Sequence, residues 1–323
     1  MNRLLSRYAE CVFWLARYIE RAENLARILD VHETFARDSR GKLNWDSVLH
    51  INADTDRFAA RHRAATAAAV LDFYVLDQEN PSSILSCVRA ARENARTLRP
   101  LISTEMWTHV NVFYNSLREL GPGDVTVSGL GKLCQMVKEA CQTHYGITEG
   151  TFFRDESWYF YGLGKTIERA DQTSRILDIK YHVLQPRDSS VGAAIEISQW
   201  NALLRSVAGY HAFRRIHPRG MTPAAVAGFL LFDTRFPRSV RSCVLHADDL
   251  LNQLRSRHAL RGGGGALEGI DELGALLGEL SIERVLKSGL HEFVDAIQRQ
   301  LINVTSEIAH DFFGTPRPEA AAA

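Results

Sequence analysis

None of the five cysteines in this sequence stands in a C-x-x-C pair. An odd number without close spacing supplies neither a disulfide framework nor a thiolate zinc site, and it points to a reducing, cytoplasmic compartment. Long apolar runs are missing as well. None approaches the ~18 residues a membrane span requires, so no membrane segment is expected. The apolar patch "CVFWLARY" near the start lies behind Glu10 and is cut by Arg17, which suits an amphipathic helix rather than a signal peptide. Net charge is absent: 38 Lys and Arg stand against 38 Asp and Glu. Such a chain has no bulk electrostatic pull on nucleic acid, and nucleic acid is not an expected partner. No P-loop, G-x-S-x-G or Rossmann glycine pattern occurs, and "GGGG" at 262–265 reads as a flexible loop. The 12 histidines are scattered. One Glu-x-x-His spacing exists, Glu307–His310, but the first half answers it with Glu139–Gln142, so neither a metal site nor a cofactor is expected.

What remains is helical. Strand alternation is scarce, while apolar residues at spacings of three and four run through most of the 323 positions. The periodicity predicts helices over about 6–36, 64–77, 82–98, 101–118, 127–145, 153–183, 196–209, 222–232, 238–258 and 281–311. Breaks fall at "GPGD" (121–124), "RDSSVG" (187–192) and the glycine run, and 315–323 reads as a disordered tail.

The chain also repeats itself. "IERAENLARILDV" at 19–31 returns as "IERADQTSRILDI" at 167–179, and "PSSILSCV" at 81–88 returns as "PRSVRSCV" at 237–244. Between them Trp45 aligns with Trp200, Phe58 with Phe213, Thr66 with Thr222 and Asp77 with Asp233. The offset grows from 148 to 156 residues, as small loop insertions would produce. Two copies are too few for an open solenoid. The expected architecture is therefore one all-α domain over 1–314, a multi-helix bundle of two tandem units (1–150 and 151–314). The units would be related by a pseudo-twofold axis and share a core.

On a helical wheel Leu15, Tyr18, Ile19, Ala22, Leu25, Ala26 and Leu29 fall on one side. Glu20, Glu23, Asn24, Arg27 and Asp30 fall on the other, flanked by Arg17 and Arg21. The second helix matches with Glu168, Asp171, Gln172, Arg175 and Asp178, flanked by Lys165 and Arg169. Charge identity survives between the copies where some apolar positions drift, and a merely solvated face has no reason for that. Three arrangements account for it. The helices form a salt-bridged interface; or they line a polar cleft, with Glu20 and Glu168 as acid/base groups and Arg17, Arg21, Asn24, Arg27, Lys165, Arg169, Gln172 and Arg175 holding a substrate or anion; or the face is simply exposed. Arg89, Arg92, Arg96 and Arg99 form a separate basic stripe, so Arg92 and Arg96 are further anion-binding candidates; the alternative is that the stripe covers a neighbouring helix or is solvated.

These residues resemble the alpha-E family of bacterial helical proteins. The resemblance rests on "LSRYAECVFWLARYIERAENLARILD" (5–30), "SILSCVRAARENARTLRPLISTEMWTHVN" (83–111) and "FRDESWYFYGLGKTIERADQTSRILDIKYH" (153–182) and extends to about residue 314. The chain departs from the pattern at Ala16, where Gly is expected, and at Lys165, where Arg is usual. The resemblance implies an association with a circularly permuted ATP-grasp ligase and a transglutaminase-like peptidase, hence with peptide or amide-bond synthesis or modification. It marks Glu20, Arg21, Glu168 and Arg169 as functional candidates. The expected role is that of an accessory protein binding the ligase or its substrate. The alternatives are an enzyme in its own right, with Glu20 or Glu168 as acid/base and Arg21 or Arg169 holding a carboxylate, or a structural scaffold.

Overall fold

Thirty-three residues without Gly or Pro, from Ser6 to Asp38, form the first helix, α1. At 1.5 Å per residue it is about 50 Å long. The computed structural model describes residues 4–38, 44–183, 192–258, 260 and 262–316. Most of the expected break at 187–192 and of the tail at 315–323 lies outside the described residues. Three short helices follow α1: α2 (Asp46–Ile51), α3 (Thr55–Ala59) and α4 (Ala67–Val75). Then come α5 (Ile84–Thr97), α6 (Thr104–Arg118), α7 (Leu130–Thr151) and the second long helix, α8 (Glu156–Val183). The remainder is α9 (Gly192–Ser206), α10 (Tyr210–Ile216), α11 (Pro223–Phe232), α12 (Val240–His258), α13 (Gly264–Glu279), α14 (Ile282–Ser288) and α15 (Leu290–Ile308), closed by a π-turn at Ala309–Phe313. The fold is all-α, with no strand among the described residues.

Several starts are set by side-chain caps. The hydroxyls of Thr66, Ser83, Ser103, Thr222 and Ser281 each accept the backbone N–H three residues on, satisfying a donor the helix itself cannot pair. These caps trim the ends that periodicity alone sets too wide. Three expectations are corrected. The glycine run is not a loop throughout, because Gly264 and Gly265 already belong to α13, a helix the periodicity does not register. The expected helix over 281–311 is broken at Gly289, whose φ of +111° side chains rarely tolerate. Similarly α7 does not stop at Tyr145 but runs on to Thr151.

Helices α1 and α8 form the central pair. α1 is surrounded by α8, α5, α7 and α9, and α8 by α1, α12, α15 and α2. With neighbours on several sides, the middle of α1 buries polar as well as apolar residues: Glu20, Glu23, Asn24 and Arg27 are as buried as Ile19, Ala22 and Leu25. The pair touches most closely at Gly164, where an added Cβ would lie 2.2 Å from the carbonyl oxygen of Phe13. Aromatic contacts lock the end of the chain over this pair: Phe313 packs on Phe13 at 5.4 Å and Phe312 on Phe160 at 5.3 Å.

Candidate functional site

One helical turn beyond Gly164, α8 presents Glu168 to α1, and α1 presents Glu20 to α8. Both carboxylates are fully buried. Glu168 accepts from Arg17 Nε at 2.7 Å, from Arg21 Nε at 2.6 Å and Nη2 at 2.9 Å, and from Gln172 Nε2 at 3.2 Å. Glu20 accepts from Arg169 Nε at 2.9 Å and Nη2 at 2.7 Å, from Arg238 Nη1 at 3.0 Å, from Asn24 Nδ2 at 2.9 Å and from the Tyr145 hydroxyl at 2.6 Å. Thus the Glu-Arg pair of each helix binds the Glu-Arg pair of the other. A second layer lies one turn on. Arg27 pairs with Glu23 and donates to the Ser206 carbonyl, while Arg175 pairs with Asp171 at 2.8 Å and donates to the Ile51 carbonyl at 2.7 Å.

Burial alone would raise both glutamate pKa values. At Glu20 the guanidinium groups of Arg169 and Arg238 outweigh burial and hold the carboxyl far below the usual carboxylate range. At Glu168, Arg21 and Arg17 do the same and hold it at about 2. Both are therefore anions at any physiological pH, with their lone pairs committed to donors. The sign of the linkage follows. A carboxylate with a depressed folded pKa binds fewer protons than its unfolded counterpart, so its stabilisation is complete above the ordinary 4.5 and is lost as pH falls toward about 2. Urea-unfolding midpoints should hold near neutral pH and fall steeply below about pH 4.5, and Glu168→Gln should flatten that fall.

A family model described as a predicted alpha-helical domain with a conserved ER motif, Alpha-E, matches residues 4–313. The chain belongs to the Alpha-E family. An uncharacterized protein of Mycobacterium bovis and two of Mycobacterium tuberculosis are each 25% identical to this Alpha-E chain over 252 residues, 71% of its length. The chain spans 28% of the length of these curated relatives. No solved structure matches it.

The Alpha-E junction gathers Glu20, Glu168, Arg17, Arg21, Asn24, Arg169 and Gln172, with Arg27 and Arg175 in the second layer. It omits three of the candidates. Lys165, in the place answering Arg17, makes no carboxylate contact among the described residues; its ammonium lies 5.8 Å from the Tyr145 ring, and burial and then Arg169 push its pKa down. Arg92 and Arg96 point elsewhere. Arg92 donates to Asn111 at 2.7 Å and lies over Trp107 and Tyr114 of α6, and Arg96 pairs with Glu93. The basic stripe therefore makes its contacts against α6, within its own helix and, through Arg89, with Gln78 before it.

Two members of the junction escape sequence reasoning. Tyr145 carries no local signal. Arg238 does: in the echo of "PSSILSCV" by "PRSVRSCV" it stands opposite Ser82, an Arg in place of a Ser within an otherwise similar turn. Beside Ser82 the junction opens into a cavity of about 110 Å³ lined by Arg21, Asn52, Asp54, Tyr74, Asp171, Gln172 and Arg175. The cysteines add no chemistry here. All five are free, and burial pushes Cys87 and Cys243 up to about 12.

Proposed function

We propose that this chain is an accessory helical protein acting with an ATP-grasp-type ligase and a transglutaminase-like peptidase in peptide or amide-bond synthesis or modification. It would bind the ligase or present its substrate. The partner classes come from the family resemblance. The observation that carries the non-catalytic reading is the saturation of Glu20 and Glu168: each carboxylate is buried, ionised and surrounded by arginine donors, and offers no proton to give and no free lone pair to take one. The mycobacterial relatives, in which the matched region is 28% of a longer chain, support a module that works beside other parts. The cavity beside Arg21 speaks against a pure scaffold.

The same proposal takes the domain as two copies of one unit, 1–150 and 151–314, paired about a pseudo-twofold axis at the Glu-Arg junction. Matching contacts support it. Phe58 stacks on His62 at 4.4 Å and Phe213 on His217 at 4.6 Å. Cys87 meets the Pro81 carbonyl at 3.8 Å and Cys243 the Pro237 carbonyl at 3.7 Å. Thr66 and Thr222 cap equivalent helices.

The test is ligase turnover measured with and without this chain, together with co-purification. A several-fold change in turnover and a stable complex are expected. No effect on turnover and no complex would reject the reading.

A further inference from the structure

One difference between the two sides of the junction is Arg238. On the α1 side, the guanidinium of Arg238 comes in from the turn before α12 and closes the site. Its Nη2 donates to Glu23 at 2.6 Å, and its Nη1 to Glu20 at 3.0 Å and to the Asn24 side-chain oxygen at 3.4 Å. The positions that echo Glu20, Glu23 and Asn24 are Glu168, Asp171 and Gln172. The position that echoes Arg238 is Ser82, in the turn before α5. A serine brings no guanidinium there, and the cavity lies on this side of the junction, with Glu168 not among its lining residues. Ser82, Asp171 and Gln172 are all on its wall.

The charges on the cavity wall are already paired. Arg175 gives three of its five N–H groups to Asp171 and the Ile51 carbonyl, and Arg21 gives two of its five to Glu168. Asp54 pairs with Arg57. Glu23 and Glu20 opposite are likewise paired with Arg27 and Arg169, and still take up Arg238. The wall offers the Asp171 and Asp54 carboxylates and the Gln172 oxygen, which receives no donor among the described residues. Asp54 is held on the far wall by the Tyr74 hydroxyl at 3.2 Å and by Arg57 at the rim. At ~30 Å³ per water the cavity holds a few waters or one guanidinium head. It reaches the surface beside the half-buried Asn52 and Ser82.

We propose that this cavity is a binding site for a guanidinium group, an arginine side chain free or within a peptide, which seats against Asp171 and Gln172 as Arg238 seats against Glu23 and Asn24, with Asp54 as a further carboxylate. The inference deepens the accessory reading by naming the class of group presented. The binding itself is read on the isolated chain, so it and the ligase effect fail separately.

The test is titration calorimetry of the whole chain with agmatine, L-arginine and a terminally blocked arginyl dipeptide, against L-glutamate and inorganic phosphate. One guanidinium ligand per chain is expected. Tight binding of the dipeptide but not of free arginine assigns a peptide source; the reverse assigns the amino acid. Ser82→Arg, which supplies in cis the side chain that Arg238 supplies opposite, should weaken agmatine at least ~10-fold while leaving the melting temperature unchanged or higher. Asp54→Asn, which keeps the Tyr74 contact but removes the charge, should weaken agmatine several-fold and guards against a misfolded Ser82→Arg. Absence of agmatine binding, equal binding by Ser82→Arg and Asp54→Asn, or binding of glutamate or phosphate in its place would overturn the proposal.

Discussion

Glu20→Gln is expected to remove about 3–5 kcal/mol of stability, a large part of the ~5–15 kcal/mol that holds a domain together. The substitution keeps size and shape. It exchanges an anion for an amide at a point where Arg169, Arg238, Asn24 and Tyr145 all donate. An amide offers one acceptor oxygen, and its NH₂ must face guanidinium groups that are themselves donors. Arg169 has no other carboxylate among the described residues, whereas Arg238 keeps Glu23. The loss therefore measures the stranding of Arg169 more than the net worth of the pair. Urea denaturation gives the value directly. Arg169→Met in the Glu20→Gln background should recover part of the loss, because it removes the stranded charge, and the two single changes should not add. A loss under ~1 kcal/mol would place the pair in the solvated class.

Gly164→Val is expected to cost about 3 kcal/mol, by a different route. Its Cβ would lie 2.2 Å from the Phe13 oxygen and 3.0 Å from the carbonyl carbon, and these are backbone atoms in the middle of a 33-residue helix. No rotamer relieves the contact, so α1 and α8 must separate. The separation falls one turn from the Arg17–Glu168 bond, which would lengthen with it. Gly146→Ala is the control. Gly146 is also inside a helix, but open space surrounds its added Cβ, and a gain of ~0.5–1 kcal/mol is expected. Opposite shifts in melting temperature for the two glycines would show that close approach, not helix propensity, sets the requirement at Gly164.

The central pair was readable because long helices write their period many times over. The expected 6–36 and 153–183 stand against Ser6–Asp38 and Glu156–Val183. The inward charge was readable for another reason: Glu20, Arg21, Arg27 and Asp30 recur in the second helix although a wheel alone would send them to solvent. Short helices such as α2 and α3 hold too few turns to show a period, yet they supply Asn52 and Asp54 to the cavity wall. At α13 the glycine run hid a helix start. Gly265 stands where a Cβ would meet the Glu307 carboxylate at 2.4 Å, so tertiary packing selects a residue that propensity rejects. The departure at Ala16 is also explained. The close helix contact belongs to its echo, Gly164, on the other strand of the pair.

The long separation between junction partners has a consequence for synthesis. Arg21 and Glu168 lie 147 positions apart, Glu20 and Arg238 lie 218 apart, and Arg17 and Thr305 lie 288 apart. At ~5–20 residues per second, α1 waits roughly 7–30 s for Glu168 and longer for Arg238. Through that interval its charges can be solvated only if α1 remains outside any core. α1 is thereby kept from settling early, because Thr305 and Phe313, which contact it, are made long after it.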